Sequence, residues 1–500
     1  MKLKVKILDI DALKPVVVLN EEDAKELGCY PSDRISITAD GNTETVIMNT
    51  TETSLKRGEI GIFDEVQRSL KIKDGDIVEI RTTSRPKSIE YIRKKLDNKK
   101  LNAHEIRTIV SDIVDNNLSD IELSAFVTAT YIYEFDMQET IDLVHAMVET
   151  GQQIDFGGGV IDKHCIGGVA ANRTTMLIVP ILTAGGLIMP KTSSRAITSA
   201  AGTSDTMEVL CDVSFNSGEI REIVRKTGGC MVWGGAINLA PADDKIIKVE
   251  YPLSIDPDSQ MLASVMAKKK SVGSDYLIVD IPVGKGAKIK TWEEGKEIAY
   301  NFINIGKNLD IVVKCLITDG NSPIGSGIGP CLEAVDVLTA LENKGDRGTR
   351  DLVNKSLDMA AAGFELAGKP NGRAIAERIL TSGAARKKMM QIIEAQGGDP
   401  DIKICDIPVG DKTYIVKSER KGNLRRIDNK WINMVARAAG APKDKGAGVY
   451  LHVSVGDVIK VNDLLFTIYA EKESKLDSAI EIANKLKPLR IGGVILEEIS

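Results

Sequence analysis

"TSSRAITSAAGTSDTMEV", residues 192–209, fixes the reading of the middle of this chain. Eight of its eighteen residues are Ser or Thr. It follows the apolar run Leu187-Ile188-Met189, which reads as a buried strand. Asp205, with Glu208 three residues on, reads as a capping box that opens a helix near Asp205. A strand, a thin polar loop and a helix start form one unit of an α/β domain. The loop carries little bulk, so its backbone can approach an anion. Ser193, Ser194, Thr198, Ser199 and Thr203 supply hydroxyl donors, and Arg195 supplies a forked cation. The plainer reading is a capped turn with Arg195 paired to Asp205.

Upstream, "DKHCIGGVAANRTTMLIV" (162–179) repeats the logic with charge. Lys163 and His164 precede Gly167-Gly168, and an apolar helical run follows. Glycines admit close backbone approach, helix-start N–H groups point outward, and Lys163 adds a full positive charge. The GK[ST] ending of a Walker loop is missing. A tight turn with a solvated Lys163 is an equal reading of this piece alone. Downstream, "PLSIDPDSQMLASVMAKKKSVGSD" (252–275) holds Asp256 before Pro257. Ser264 and Lys268 follow at helical spacing on one face. Asp256 can serve as a general acid if burial raises its pKa. A turn followed by a solvated Lys run is the simpler reading. "DIPVGKGAKIK" (280–290) offers Lys285 and Lys288, either of which can reach a phosphate or face solvent. Together the four segments describe two clusters of cations and N–H donors, many hydroxyls and one acid. That combination fits transfer of a sugar phosphate to or from phosphate.

The surrounding pattern sets the architecture. Strand-like "CMVWG", "DYLIVDIPV" and "LDIVVKCLIT" alternate with helical "SGEIREIVRKTGG" and "PCLEAVDVLTALEN", predicting a largely parallel sheet. Residues 88–151 carry four amphipathic helical repeats, with Ser119 as a helix start and Gly151 as a stop. The first 84 residues read as short strands, with Asp40-Gly41 as a hairpin turn. "LGCYPSDRISI" from Leu27 repeats weakly as "LKIKDGDIVEI" from Leu70, a pattern that resembles the halves of a double-psi barrel. The expected fold is multidomain α/β and α+β. It comprises a small double-psi-like N-terminal β-barrel (1–84), a helical lobe (85–155, with later helical insertions), a central mainly parallel α/β domain that carries the anion-binding segments (156–402), and a C-terminal α+β domain (403–500).

Bulk properties narrow the function. Five hundred residues exceed one simple core, so three or four domains are expected. Aromatics are only 4%, so aliphatic side chains must build the core, and a net charge of −6 argues against a protein that binds nucleic acid by bulk attraction. The seven cysteines are scattered without a CxxC pair, which indicates reduced thiols in a cytoplasm and no zinc site. Neither a signal segment nor a membrane-spanning run is read, and no cofactor or metal is expected.

"SSRAITSAAGTSDTMEVL" is similar to the signature of the thymidine and pyrimidine-nucleoside phosphorylases. "DKHCIGGV", "LAPAD" (239–243), "SVMAKKK" and "TDGNSPIGSGIGPCLEA" (318–334) match the same family in order and spacing. The resemblance covers roughly residues 85–500, and the extra N-terminal barrel resembles an archaeal-type subgroup that acts on nucleotides. It implies phosphorolysis, in which phosphate attacks the anomeric carbon of a ribosyl group and the base departs. The implied substrates are AMP, with CMP and UMP as further candidates, and inorganic phosphate. Carried over by position, Lys163, Thr174, Ser193 and Thr203 match the family's phosphate contacts. Gly168, Ser194, Arg195, Ala196, Ile197, Thr198 and Ser199 would lie against substrate, Ser264 against the base, and Lys288 against the nucleotide's own phosphate. Asp256 is the implied proton donor. The family also implies a homodimer or a higher homo-oligomer.

Three positions depart from the nucleoside-specific pattern. Cys165 stands where those members have Ser, Val249 or Glu250 where they have the Arg for the pyrimidine ring, and Ser193-Ser194-Arg195-Ala196 replaces Ser-Gly-Arg-Gly. The last two favour a nucleotide over thymidine. The competing readings are a thymidine-type phosphorylase, an anthranilate-type phosphoribosyltransferase, and a non-enzymatic nucleotide-binding scaffold. The second would need an acidic metal pair near the glycine loops, where none is read; Asp243-Asp244 lies by another segment.

Overall fold

Six strands close the N-terminal barrel in the order Lys2–Ile7, Glu59–Ile62, Val16–Asn20, Asn42–Thr51, Arg34–Ala39, Ile77–Thr82. These assignments come from a computed structural model that describes residues 1–12, 14–83, 85–196, 198–342 and 348–492. In Arg34–Ala39, buried Ile35, Ile37 and Ala39 alternate with half-buried Arg34, Ser36 and Thr38, and the barrel's apolar set fills its interior. The hairpin at Asp40-Gly41 takes φ of +46° and +82°, the left-handed pair that a two-residue turn between twisted strands requires. Two of the barrel's pairings are parallel, Lys2–Ile7 with Glu59–Ile62 and Val16–Asn20 with Asn42–Thr51. They sit in the interlaced arrangement that the double-psi-like reading anticipates.

Four helices follow, at Ser88–Leu96, Ala103–Val114, Asp120–Ile132 and Met137–Thr150. Three begin with a side-chain cap and an acid three residues on: Asn102 with Glu105, Ser119 with Glu122, and Asp136 with Glu139. Each pairing satisfies N–H groups that the helix start leaves open. Glu122 also meets Arg34 of the barrel in a bidentate ion pair. The chain divides into two compact units. One holds Met1–Gly151 and Ala240–Ala267, and the other holds Gln152–Leu239 and the chain from Lys268 onward. Within the first unit, Lys245 donates to the carbonyls of Ile113 (2.9 Å) and Val114 (2.6 Å), tying the later helix Pro241–Leu253 to the earlier ones.

The second unit is built on parallel strands. Val312–Asp319, Tyr276–Val283 and Ile161–Cys165 form one sheet, and Met189–Ser193 pairs in parallel with Gly229–Trp233. A parallel bridge between Val160 and Ile188 sets the two groups side by side. The helix Thr174–Ala184 (TTMLIVPILTA) is buried almost all round, which its unbroken apolar composition demands. It lies in a core with Leu338, Leu352, Phe364 and Met389. The C-terminal part has an antiparallel sheet, Gly327–Ile328, Gly448–Leu451, Leu464–Ala470 and Lys412–Lys417, and a helix, Asn429–Ala438. The sequence expectation of a mainly parallel centre and an α+β tail agrees with this architecture. Two local readings need correction. The strand near Leu187 begins only at Met189, and the following helix starts at Thr203 with Asp205 inside it. Asp205 still accepts from the Gly202 N–H at 2.9 Å, so the acid serves the helix start from its third position. Glu208 plays no part in that cap.

Candidate functional site

Parallel strands release their loops at one edge of a sheet, the place where α/β folds bind ligands. The loop after Ile161–Cys165 passes through Gly167 and Gly168, with φ of +101° and +92°. A Cβ on Gly168 would lie 2.4 Å from the Lys288 backbone nitrogen and 2.8 Å from Ala287 Cα. Two segments selected separately in the sequence therefore meet, and glycine is what lets them meet. Lys288 itself is half-buried.

Lys163 is buried outright, with its Nζ 3.0 Å from Thr174 Oγ1 and 3.7 Å from Asp280 Oδ2. Thr174 is the first residue of the buried helix. Asp280 lies on the next strand and also takes Lys355 Nζ at 3.0 Å, Thr318 Oγ1 at 2.7 Å and Asn172 Nδ2 at 3.2 Å. Burial pushes this carboxyl's pKa up, but Lys163 and Lys355 outweigh it and hold it below the ordinary value. Asn172 also donates to Cys165 Sγ at 3.3 Å, and burial raises that thiol to about 11. Cys165 is thus a neutral neighbour of the lysine. Behind this cluster, Asp162 binds Lys269 at 2.6 Å and Lys191 at 3.3 Å. Burial lowers Lys191 to about 7, against the pull of Asp162 and with help from Lys269. Burial and the charges of Lys269, Lys191 and Lys163 push the His164 pKa well below its ordinary value, so its imidazole is neutral at pH 7.

The second loop has a different construction. Ser193 ends its strand with an enclosed Oγ that has no hydrogen-bond partner among the described residues. An enclosed hydroxyl without a partner costs free energy, which a bound anion would recover. Thr203 opens the next helix and accepts from Arg173 Nη1 at 3.0 Å. Arg173 Nη2 reaches the Ala201 carbonyl at 3.2 Å, and Nε pairs with Glu333. Burial raises Glu333 to about 7, with Arg173 pulling the other way. Ser194 and Thr198 are exposed, and Ser199 Oγ donates to the Ala201 carbonyl at 2.9 Å. Ile197 lies outside the described residues. Ala196 donates its N–H to Asp205 Oδ2 at 2.7 Å.

Arg195 does not stand open as a forked cation. Both its terminal nitrogens sit 2.6 Å from Glu208, and its guanidinium stacks 5.0 Å from the Trp233 ring. The sequence paired it with Asp205, whose nearest oxygen is farther, at 3.4 Å. Lys445 adds a second cation to Glu208 at 2.6 Å. Arg195, Lys445 and their hydrogen bonds bring Glu208 down to about 2, against its partial burial. The loop therefore offers the hydroxyls of Ser193, Ser194 and Thr198, with its arginine neutralised.

Asp256 and Ser264 belong to the first unit. Ser264 is half-buried within the helix Asp258–Ser271. Asp256 lies between that helix and Pro241–Leu253 and is exposed, so the burial expected of it is not met. Sequence reasoning missed Arg173, Asp280, Lys355 and Lys191, while Lys269, noted beside Lys268 at helical spacing after Ser264, proves to be a partner of Asp162. Arg173 and Asp280 stood inside quoted motifs, where an ionic residue within an apolar run was the available signal. Lys355 sits in an ordinary amphipathic helix, Arg350–Leu366, and carried none. Among the described residues, no cluster of three or more His, Cys, Asp or Glu is placed to hold a metal ion, and no helix is long and apolar enough to cross a membrane.

Comparisons with known proteins address the fold and the family. Residues 89–151 match the glycosyl transferase family helical bundle domain, residues 157–386 the glycosyl transferase family a/b domain, and residues 423–489 the pyrimidine nucleoside phosphorylase C-terminal domain. Solved anthranilate phosphoribosyltransferases share the fold. The one from Thermus thermophilus covers 61% of this chain and 98% of its own, with a TM-score of 0.51 and 17% identity. The Saccharomyces cerevisiae enzyme covers 62% and 98%, with the same score and identity. The matched family models thus define a phosphorylase-type pentosyltransferase of the glycosyl transferase family. Whole-length relatives narrow this further. "AMP phosphorylase 1" of Archaeoglobus fulgidus is 49% identical over 96% of this chain and 95% of its own. "AMP phosphorylase" of Thermococcus kodakarensis is 48% identical over 100% and 99%, and that of Methanosarcina mazei 47% over 100% and 98%. The chain belongs to the AMP phosphorylase family.

Proposed function

We propose that this protein splits nucleoside 5′-monophosphates with phosphate, converting AMP and orthophosphate to adenine and ribose 1,5-bisphosphate. CMP and UMP are further candidate substrates. The observation that carries the reading is the end-to-end match to proteins named AMP phosphorylase. Lys163, Thr174, Ser193 and Thr203 receive the attacking phosphate. Its oxygen bonds to C1′ as the bond to the base nitrogen breaks, through a transition state with oxocarbenium character that a nearby anion stabilises. Gly168 and residues 194–199 hold the nucleotide, Lys288 takes its 5′-phosphate, and Ser264 contacts the base. Asp256 protonates the departing base.

The match of residues 423–489 to a phosphorylase C-terminal domain, together with the buried Lys163–Thr174 pair, disfavours a non-enzymatic scaffold. The four-part division at 84, 155 and 402, a homodimer or higher assembly, and a cytoplasmic setting complete the proposal. Incubation with orthophosphate and a panel of nucleotides and nucleosides, followed by identification of the sugar product, tests it. AMP should yield a sugar bisphosphate, Asp256→Asn should abolish turnover, and Lys288→Ala should weaken AMP far more than adenosine. Faster turnover of thymidine or uridine would overturn the nucleotide assignment.

A further inference from the structure

The helix Asn429–Ala438 carries a polar ridge that none of the chemistry above requires. Asn429, Asn433 and Arg437 are spaced by four residues and so fall on one face. Each reaches backbone of a loop from the central α/β region. Asn429 is fully buried; its Oδ1 accepts from the Ala170 N–H at 3.0 Å, and its Nδ2 donates to the Gly320 carbonyl at 3.0 Å. A Cβ on Gly286 would lie 2.6 Å from the same Nδ2, so the loop before Lys288 packs on Asn429 as well. Asn433 Oδ1 accepts from the Ala200 N–H at 3.0 Å, and Arg437 Nη1 donates to the Ser199 carbonyl at 2.9 Å. Ala170, Ala171 and Ala200 are buried in the same apolar core as Ile432, Val435 and Ala436.

We infer that Asn429, Asn433 and Arg437 are positioning residues, a ridge that fixes the glycine loop and the hydroxyl loop at the distance the reaction needs. The inference rests on the proposed phosphorolysis. The physical reason is the cost of misplacement. Backbone N–H groups and hydroxyls on loops act on a transition state only if held to a fraction of an ångström, and a shift of about 1 Å can cost about 10²-fold in rate. Neither loop is anchored at its tip by a strand, and the ridge supplies anchors on both. The three side chains touch no reacting atom.

The test uses the full chain with Asn433→Ala and Arg437→Ala combined, leaving buried Asn429 in place so that folding is retained. Hydrogen exchange of peptides covering 196–203 and 166–173 is read first. Exchange should quicken in 196–203 and stay unchanged in 166–173. Steady-state kinetics at a temperature where the variant is folded should show kcat for AMP falling about 10²-fold, while KM for orthophosphate moves less than about threefold. Restoring a donor with Arg437→Lys in the double variant should recover part of the loss. Unchanged exchange in 196–203, unchanged kcat, or a loss that merely follows the unfolded fraction would overturn the inference. Absence of a sugar bisphosphate from AMP with the unaltered protein would instead defeat the underlying reading, and the exchange result would still decide whether the ridge holds the loop.

Discussion

The two loops that leave parallel strands, one after Cys165 and one after Ser193, look alike in sequence and are built on opposite principles. The first follows a strand that keeps a buried cation, Lys163, beside a carboxylate that it shares with Lys355. The second spends its cation internally, Arg195 on Glu208, and presents hydroxyls. The difference teaches that a cation in a motif is not a cation in a site. What counts is whether the fold has already supplied its counter-charge. The lysine loop is suited to draw an anion, and the hydroxyl loop is suited to shape the space around it.

The most damaging change should be Gly168→Ala. The left-handed backbone and the 2.4 Å approach to Lys288 nitrogen leave no room for a methyl group, so the two loops must separate. Activity should fall at least about 10²-fold, and the thermal midpoint should drop with it. Retained activity would show that these segments need not touch. Next, Lys163→Met should reduce kcat/KM for phosphate by about 10²- to 10³-fold, whereas Ser193→Ala should cost about tenfold. Equal losses would break the contrast between a charged and a neutral loop.

The smallest effect concerns pH. Glu333 anchors Arg173, which reaches Thr203, and its native pKa of about 7 lies above its ordinary 4.5. Between those values the folded chain holds a proton that the unfolded chain has released. The unfolded state then binds fewer protons, so stability declines as pH rises from about 4.5 to about 7. Glu333→Gln should flatten that decline in chemical-denaturation titrations. An unaltered slope would remove Glu333 from the account.

Much of the architecture was legible because periodicity is local. Ser119 with Glu122, Asp40-Gly41 and the alternation in Arg34–Ala39 each signal their own element. Site composition was legible in part: Lys163 and Thr174 do meet, and Gly168 does meet the Lys288 segment. Partnership was not. Nothing near Arg195 in sequence distinguishes Glu208 from Asp205 as its mate, and Lys355 is brought to Asp280 by a helix 75 residues away in the chain. The small residues around Ala200 were read as room for an anion. Ala200 is small for a further reason, since it is packed into the core beneath the helix Asn429–Ala438. Exposure of Asp256 likewise has no local sequence signal.

Asp162 sits between two lysines, as Asp280 does, but one of its partners has an outlet. With a pKa of about 7, Lys191 can surrender its proton and leave a one-to-one balance with Lys269. Two charge states of the Asp162 cluster would then coexist near neutral pH, beside the strand that carries Lys163. An arriving dianion would favour the protonated one, so uptake of orthophosphate should be accompanied by uptake of a fraction of a proton. Calorimetry in buffers of different ionisation heat would register that stoichiometry directly.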